Sequence, residues 1–423
     1  MIFTLISGLL NPAHGFCGTF VGGAGSDIYN KYSQAAIVRN ANQTTLTIQN
    51  DVQGEFSNFA MVIPVPSVLP EEAINVIDPV VFDSLDSYSQ PRLVRYECSD
   101  FEYQYENDFG VAEDAAPGMD TGYAGVSVEA QYIVGEYEII ILSATESENL
   151  FSWLNDNDYQ LPGQSIPMLE QYIAGGSYFL AAKVSESAGI AAGDLLSPLQ
   201  FKYETEAFGL PIRIGTLNSK DAQDLVLYVI NDYGLGEAKI SNYPEFTVED
   251  ECLWETQGEE FGQFYADKFT NGYEAQNEGT YIVEYSWGGG GCDPCTGDPP
   301  SGNDLISLGV DEDSIYYSDY YFTRLHMRYT PEEADEDLML YHSNLTEFSQ
   351  IRYIEHESFL EDRFPVCGEG MIENPGSCES FNTYEGDRDV NTTTGCGGCS
   401  AGGMEGVLGV WFMGTLAALR RRE

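Results

Sequence analysis

Apolar and polar residues alternate along most of this chain with a period of two, the spacing of a strand that buries one face. Runs rich in Ile, Val, Thr and Tyr predict strands over 34–39, 44–50, 59–65, 126–134, 136–143, 177–184, 211–215, 225–231, 280–287, 321–329 and 351–357. Helical spacing is rarer. Asp78 and Pro79 make an N-cap and first-turn pair, and Val81, Phe82 and Leu85 then lay an apolar stripe along a helix to residue 88. Others are expected from residue 147, with Leu150, Phe151 and Leu154 inward, over 165–174, and over 259–271, where Phe261, Phe264, Tyr265 and Lys268 follow helical spacing. The expected fold class is α+β and β-dominated, a body of sheets or a sandwich with a few short helices. The segments FAMVIPVP, from Phe59, and FGLPIRIG, from Phe208, are loosely alike and suggest equivalent strands of two related sheets.

Two stretches break the pattern. Residues 100–125 carry Asp100, Glu102, Glu106, Asp108, Glu113, Asp114 and Asp120 without sustained apolar periodicity, and read as an acidic loop inserted in one module. The glycine run after Trp287 opens a second irregular loop that reaches Gly302.

Charge narrows the function classes. The chain has 423 residues, with 18 Lys and Arg against 68 Asp and Glu, for a formal charge of −50. Nucleic acid is excluded as a partner, since phosphate binding needs clustered cations. Yet 43% of residues are hydrophobic and 13% aromatic, too apolar for a disordered acidic polymer. A folded core under a carboxylate-rich surface is expected.

The two ends suggest an address. Residues 1–10 are apolar but lack a positive n-region, and Ala13-His14-Gly15 places small residues at the −3 and −1 positions of a secretory cleavage site, with Gly15/Phe16 as the cut and a buried strand as the alternative. Near the other end, Cys396 and Cys399 precede an apolar stretch over 402–419, which three arginines, Arg420 to Arg422, close. Eighteen helical residues at about 1.5 Å each reach barely across a bilayer's hydrocarbon. The arginines would keep the extreme terminus on the cytoplasmic side. This order of Gly-Cys, apolar span and arginines resembles the MYXO-CTERM sorting signal of myxobacteria and their relatives. The resemblance implies that the span is removed and that lipid joins a cysteine, Cys399 or its alternative Cys396, at the cell surface. An ordinary membrane span is the competing reading. The segment from Cys367 to Cys378 looks like a degenerate copy of the cysteine-rich repeat that often precedes such tails, which implies a Cys367–Cys378 bridge. The expected organisation is therefore a signal peptide over 1–15, an ectodomain over 16–364, a stalk over 365–400 and a sorting or membrane tail over 401–423.

Candidate chemistry is sparse. Cys292-Asp-Pro-Cys295 has CxxC spacing, read first as a structural disulfide, with a redox dithiol or half a zinc site as alternatives. The nine cysteines become an even eight once Cys399 is processed. His326, His342 and His356 lie on predicted strands without metal-binding spacing and read as structural. Structural calcium is weighed at Asn155-Asp156-Asn157-Asp158 and at Asp311-Glu312-Asp313, against a solvated acidic face. Neither has the Gly and terminal Glu of an EF-hand loop. No catalytic or cofactor-binding residue can be assigned.

The segments CGTFVGGAG from Cys17, FAMVIPVPSVLP from Phe59, YQLPGQSIPMLEQYIAGGSYFLAAKV from Tyr159, LPIRIGTLNSKDAQDLVLYVI from Leu210 and TRLHMRYTPEEADEDLMLY from Thr323 resemble the bacterial family called domain of unknown function 2330. The likeness covers about residues 16–365 and implies one module with no established activity. The expectation is a surface-anchored, non-enzymatic envelope protein with a structural, adhesive or ligand-binding role and a polysaccharide or surface protein as ligand. An extracellular hydrolase or oxidoreductase with an unrecognised site is the alternative.

Overall fold

The computed structural model describes residues 19–21, 29–53, 60–97, 125–157, 161, 163–184, 197–219, 221–233, 236–248, 252–253, 261–292, 295, 297–344, 348–355 and 400–403. Its centre is an eight-stranded sheet in the order Ser349–Gln350, Thr280–Gly288, Tyr320–Tyr329, Gln223–Asp232, Tyr29–Asn40, Gln43–Gln53, Leu199–Glu204, Ile74–Val76. Every neighbouring pair is antiparallel except Gln223–Asp232 with Tyr29–Asn40, where Ser33 pairs with Leu225. A second, antiparallel sheet runs Thr19–Val21, Ala60–Val65, Tyr178–Val184, Tyr137–Ala144, Val126–Val134.

Alternation along the strands sorts side chains into layers. Ile37, Ile48, Leu227, Val229 and Leu325 of the large sheet meet Ile63, Ile139, Ile141 and Leu180 of the second sheet in one apolar core. The opposite face of the second sheet, with Val62, Leu142 and Phe179, is covered by helices Ser147–Asp156 and Ile166–Ala174 through Leu150, Leu154 and Leu169. The opposite face of the large sheet takes helix Val80–Ser89 through Phe82 and Leu85, and helix Gly302–Leu308 through Leu305 and Leu308. Farther along that face lies the longest of the described helices, Phe261–Gln276, whose Phe269 packs with Ile282 and Phe246. The chain is thus a β-dominated α+β protein in which two face-to-face sheets carry helices on their outer sides.

Two smaller sheets complete it: Gly209–Leu210, Leu338–His342 and Ala238–Ile240; and Cys252–Leu253, Arg352–Glu355, Arg92–Glu97 and Ser400–Gly403.

The predicted strand over 211–215 is corrected to a 3-10 helix, Arg213–Asn218. Ile212 and Ile214 mimic strand alternation, but one enters the inter-sheet core and the other the core beneath the helices. Pro211 cannot donate to a ladder, and the Arg213 amide donates instead to Asp337 Oδ1 at 3.1 Å. FGLPIRIG is therefore not the equivalent of the Ala60–Val65 strand. Helix Phe261–Gln276 also runs five residues beyond its expected end. The apolar span over 402–419 lies outside the described residues except for 402 and 403. Among the described residues no helix is long and apolar enough to cross a membrane.

The long helix docks closely because Gly272 faces the Phe246 ring, where a Cβ would collide with ring carbons. Gly272→Ala gains about 1 kcal/mol of helix propensity but overpacks the contact at about 1–3 kcal/mol. A net loss of about 1 kcal/mol is expected by chemical denaturation, the reverse of an exposed helical position.

Candidate functional site

The outer face of the large sheet carries a line of charge. Across the Gln223–Asp232 and Tyr320–Tyr329 strands, Asp224 lies opposite Arg328, Val226 opposite His326, and Tyr228 opposite Arg324. Arg324, His326 and Arg328 occupy alternate positions and so share one face. Glu284 reaches the same face by alternation, two residues after Ile282 and next to Val283, which packs into the inter-sheet core. Val283 pairs with Leu325 and Tyr285 with Arg324, which leaves Glu284 as the extra residue of a β-bulge.

The Glu284 side chain is 1% exposed and takes three donors. Arg324 Nε donates to Oε2 at 2.5 Å, while the Tyr265 hydroxyl and His326 Nδ1 lie 2.8 and 2.9 Å from Oε1. Arg324 continues through Nη1 to Asp86 Oδ1 at 2.6 Å, on helix Val80–Ser89. Arg328 grips Asp224 with two parallel bonds, Nε to Oδ1 at 2.6 Å and Nη2 to Oδ2 at 2.7 Å. Its third nitrogen reaches Thr270 Oγ1 at 3.0 Å, on the long helix. Phe269 lies flat against the His326 ring at 3.9 Å between centroids, and the Arg328 guanidinium sits 4.8 Å from the same phenyl centroid. The network thus joins three strands to two helices.

Electrostatics follow from the geometry. Burial pushes the Glu284 carboxyl up, but the charge of Arg324, then His326 and the bonds from His326 and Tyr265, draw it down to about 2. Burial and then the adjacent Glu284 charge push the Tyr265 phenol well above its ordinary value. Ionised Glu284 offers only acceptors, so the His326 nitrogen facing it carries the hydrogen. His326 Nε2 is left 3.9 Å from Asp224 Oδ1 on a side chain that is 17% exposed. A carboxylate that orients an imidazole in this way is chemically capable of supporting general-base work.

A second feature adjoins this face. Cys292 and Cys295 form a disulfide with Cα atoms 5.0 Å apart, and Cys252 is disulfide-bonded as well. The Gly291 carbonyl accepts from the Tyr88 hydroxyl at 2.7 Å and from the Tyr285 hydroxyl, and Cys292 packs against the core beneath.

The remaining sequence candidates lie apart from this network. His342 stacks on Phe208 at 4.8 Å, and burial, then Arg39, pull its imidazole down. Asp311 is the N-cap of helix Glu312–Tyr316, and its carboxylate accepts the Asp313 amide at 2.9 Å. Asn155 and Asn157 donate their amides to carbonyls of helix Ser147–Asp156 at 2.8 Å each. Among the described residues no group of three His, Cys, Asp or Glu side chains could hold a metal ion. Gly15, Phe16, His356, Cys367, Cys378, Cys396 and Cys399 fall outside the described residues. Sequence reasoning missed Glu284, Asp224 and Arg328 altogether, since nothing in their spacing marks them as neighbours.

Fold and site together define an α+β protein with an internal ion-pair network between its larger sheet and two covering helices. The chain belongs to the family described as uncharacterized protein conserved in bacteria (DUF2330), whose model matches residues 11–341. No curated protein matches it. Among solved structures, the crystal structure of baculovirus P35 is similar at 13% identity, over 53% of this chain and 77% of that one, with a TM-score of 0.25.

Two variants separate the buried charges. Glu284 contributes stability that is present above about pH 4.5 and is lost as pH falls through about 2. Glu284→Gln leaves Arg324 without its buried partner and is expected to cost about 3–5 kcal/mol at pH 7, a gap from wild type that closes during acid titration followed by circular dichroism. Asp232, at the end of its strand, behaves oppositely: burial, with Asp311 and Asp319 nearby, pushes its carboxyl up to about 6. Its contribution is present below about pH 4 and lost as pH rises through 6. Asp232→Asn should therefore melt above wild type at pH 7 and with it below pH 4.

Proposed function

We propose that this chain is an exported, surface-held bacterial protein that acts without catalysis, as a binding or scaffolding module of the cell envelope. The observation that carries the reading is the closure of the Glu284 network. Glu284 takes three donors and Asp224 takes both arms of Arg328. The partners come from strands and from the helices that cover them, the arrangement of a clamp. Export and anchoring rest on the apolar start, the Gly15/Phe16 site and the tail around Cys399. The ligand class that fits a carboxylate-rich surface on which Tyr233, Tyr316, Tyr317 and Tyr341 stay exposed is a polysaccharide or a surface protein.

The second reading, an extracellular hydrolase, draws on the Glu284–His326 contact. His326→Gln discriminates. A binding module keeps its affinity for isolated envelope fractions in a sedimentation assay when His326 is replaced, whereas a hydrolase loses turnover of those fractions by about 100-fold or more. Release of soluble fragments by wild type and not by the variant would overturn the non-catalytic reading. The address has its own test. Mass spectrometry of membrane-extracted protein should yield a C-terminal peptide that ends at or beside Cys399 and carries acyl mass. An intact surface peptide containing Trp411 and Arg420 would establish a retained span instead.

A further inference from the structure

One corner of the molecule displays aromatic rings to solvent instead of burying them. Helix Glu312–Tyr316 and the turn after it carry Tyr316 and Tyr317, which are 80% and 72% exposed. Their rings meet edge to face with centroids 4.9 Å apart, so each supports the other without being covered. Tyr233 is 50% exposed, and its hydroxyl lies beside the carboxylate of Asp311. Its backbone has φ of +58°, and that of Ser318 has +53°, a left-handed conformation uncommon for residues other than glycine. Glu312, Asp313 and Asp319 are exposed around the rings. No lysine, arginine or histidine occurs between Lys268 and Arg324, so no cation from this stretch neutralises the corner.

Exposed aromatic faces ringed by carboxylates match one chemistry closely. A cation over a tyrosine face is drawn by the ring quadrupole, and adjacent carboxylates add charge attraction and hydrogen-bond acceptors. An anionic ligand is repelled. We propose that the Tyr233, Tyr316 and Tyr317 corner docks a lysine- or arginine-bearing polypeptide segment. The proposal rests on the reading of the chain as a binding module and names where and what it binds. Charge complementarity selects the occupant, and the tyrosines localise it on a surface that is acidic nearly everywhere.

The test uses the purified full chain and a fluorescent oligolysine peptide of about ten residues, followed by anisotropy at low and at moderate salt. An oligoglutamate peptide and a neutral dextran serve as comparison probes. Tyr316→Ala with Tyr317→Ala should weaken oligolysine binding about tenfold without moving the melting temperature, because both side chains are mainly in water. Glu312→Gln with Asp313→Asn should weaken it by a similar factor at low salt and by less at higher salt. Glu148→Gln with Glu170→Gln removes the same charge from exposed positions on the helices of the other sheet, and should leave affinity within about twofold. Equal losses in the two charge pairs would show attraction to net charge alone and overturn the proposal, as would a tyrosine pair without effect. Dextran binding abolished by the tyrosine pair would assign the corner to sugar: this proposal would fall while the binding-module reading stood. Loss of envelope binding by wild type would remove the reading itself.

Discussion

A carboxylate withdrawn from water must be given charge and donors in return, and in this protein that demand is concentrated at Glu284. An uncompensated buried ion costs several kcal/mol, so the surrounding structure is organised to supply what the solvent no longer does. Alternation points Glu284 to the outer face, the bulge leaves it without a direct cross-strand partner, Arg324 crosses from the neighbouring strand, and His326 and Tyr265 fill the remaining acceptor positions. Because Arg324 then continues to Asp86, the position of one helix depends on the register of two strands. Arg328 repeats the device with Asp224 and the long helix. The apolar cores hold the layers together, whereas this polar line fixes how the helices sit on the sheet.

Much of the framework was legible because a half-buried strand writes itself as alternation. The Val126–Val134 strand matched its expected bounds, and the strands through Ala35, Leu227 and Leu325 were visible from their Ile, Val and Tyr content. Short elements were harder. The capping box of Ser301 and Asp304 starts a helix of only seven residues, and Asp311 caps one of five, too short for a periodic stripe to emerge. Strands Ala238–Ile240 and Leu338–His342 are likewise brief, and they pair with each other across about a hundred residues.

The ion network was the least legible part, for a physical reason. Glu284 and Arg324 are forty residues apart, and they meet only through the pairing of their two strands, which no local spacing reveals. Alternation predicts which face a side chain takes, but not which strand lies beside it or in what register. In a chain with 68 acidic residues no single glutamate stands out. The few cations are the better guide. Arg39, Arg92 and Arg324 are all buried, so three of the 18 cations are withdrawn from the surface and leave it more acidic.

The one parallel junction in the large sheet has a consequence for how the chain assembles. Ser33 lies against Leu225, roughly 190 residues away, and Leu225 in turn lies against Met327. The Tyr29–Asn40 and Gln43–Gln53 strands can close on each other early, but the middle of the sheet is missing until the chain through Tyr329 has been delivered. Closing loops of that size before any contact compensates for them makes folding slow. A polypeptide threaded N-terminus first across a membrane would emerge as an open hairpin with an unpaired edge, and would depend on protection of that edge until its last central strand arrives.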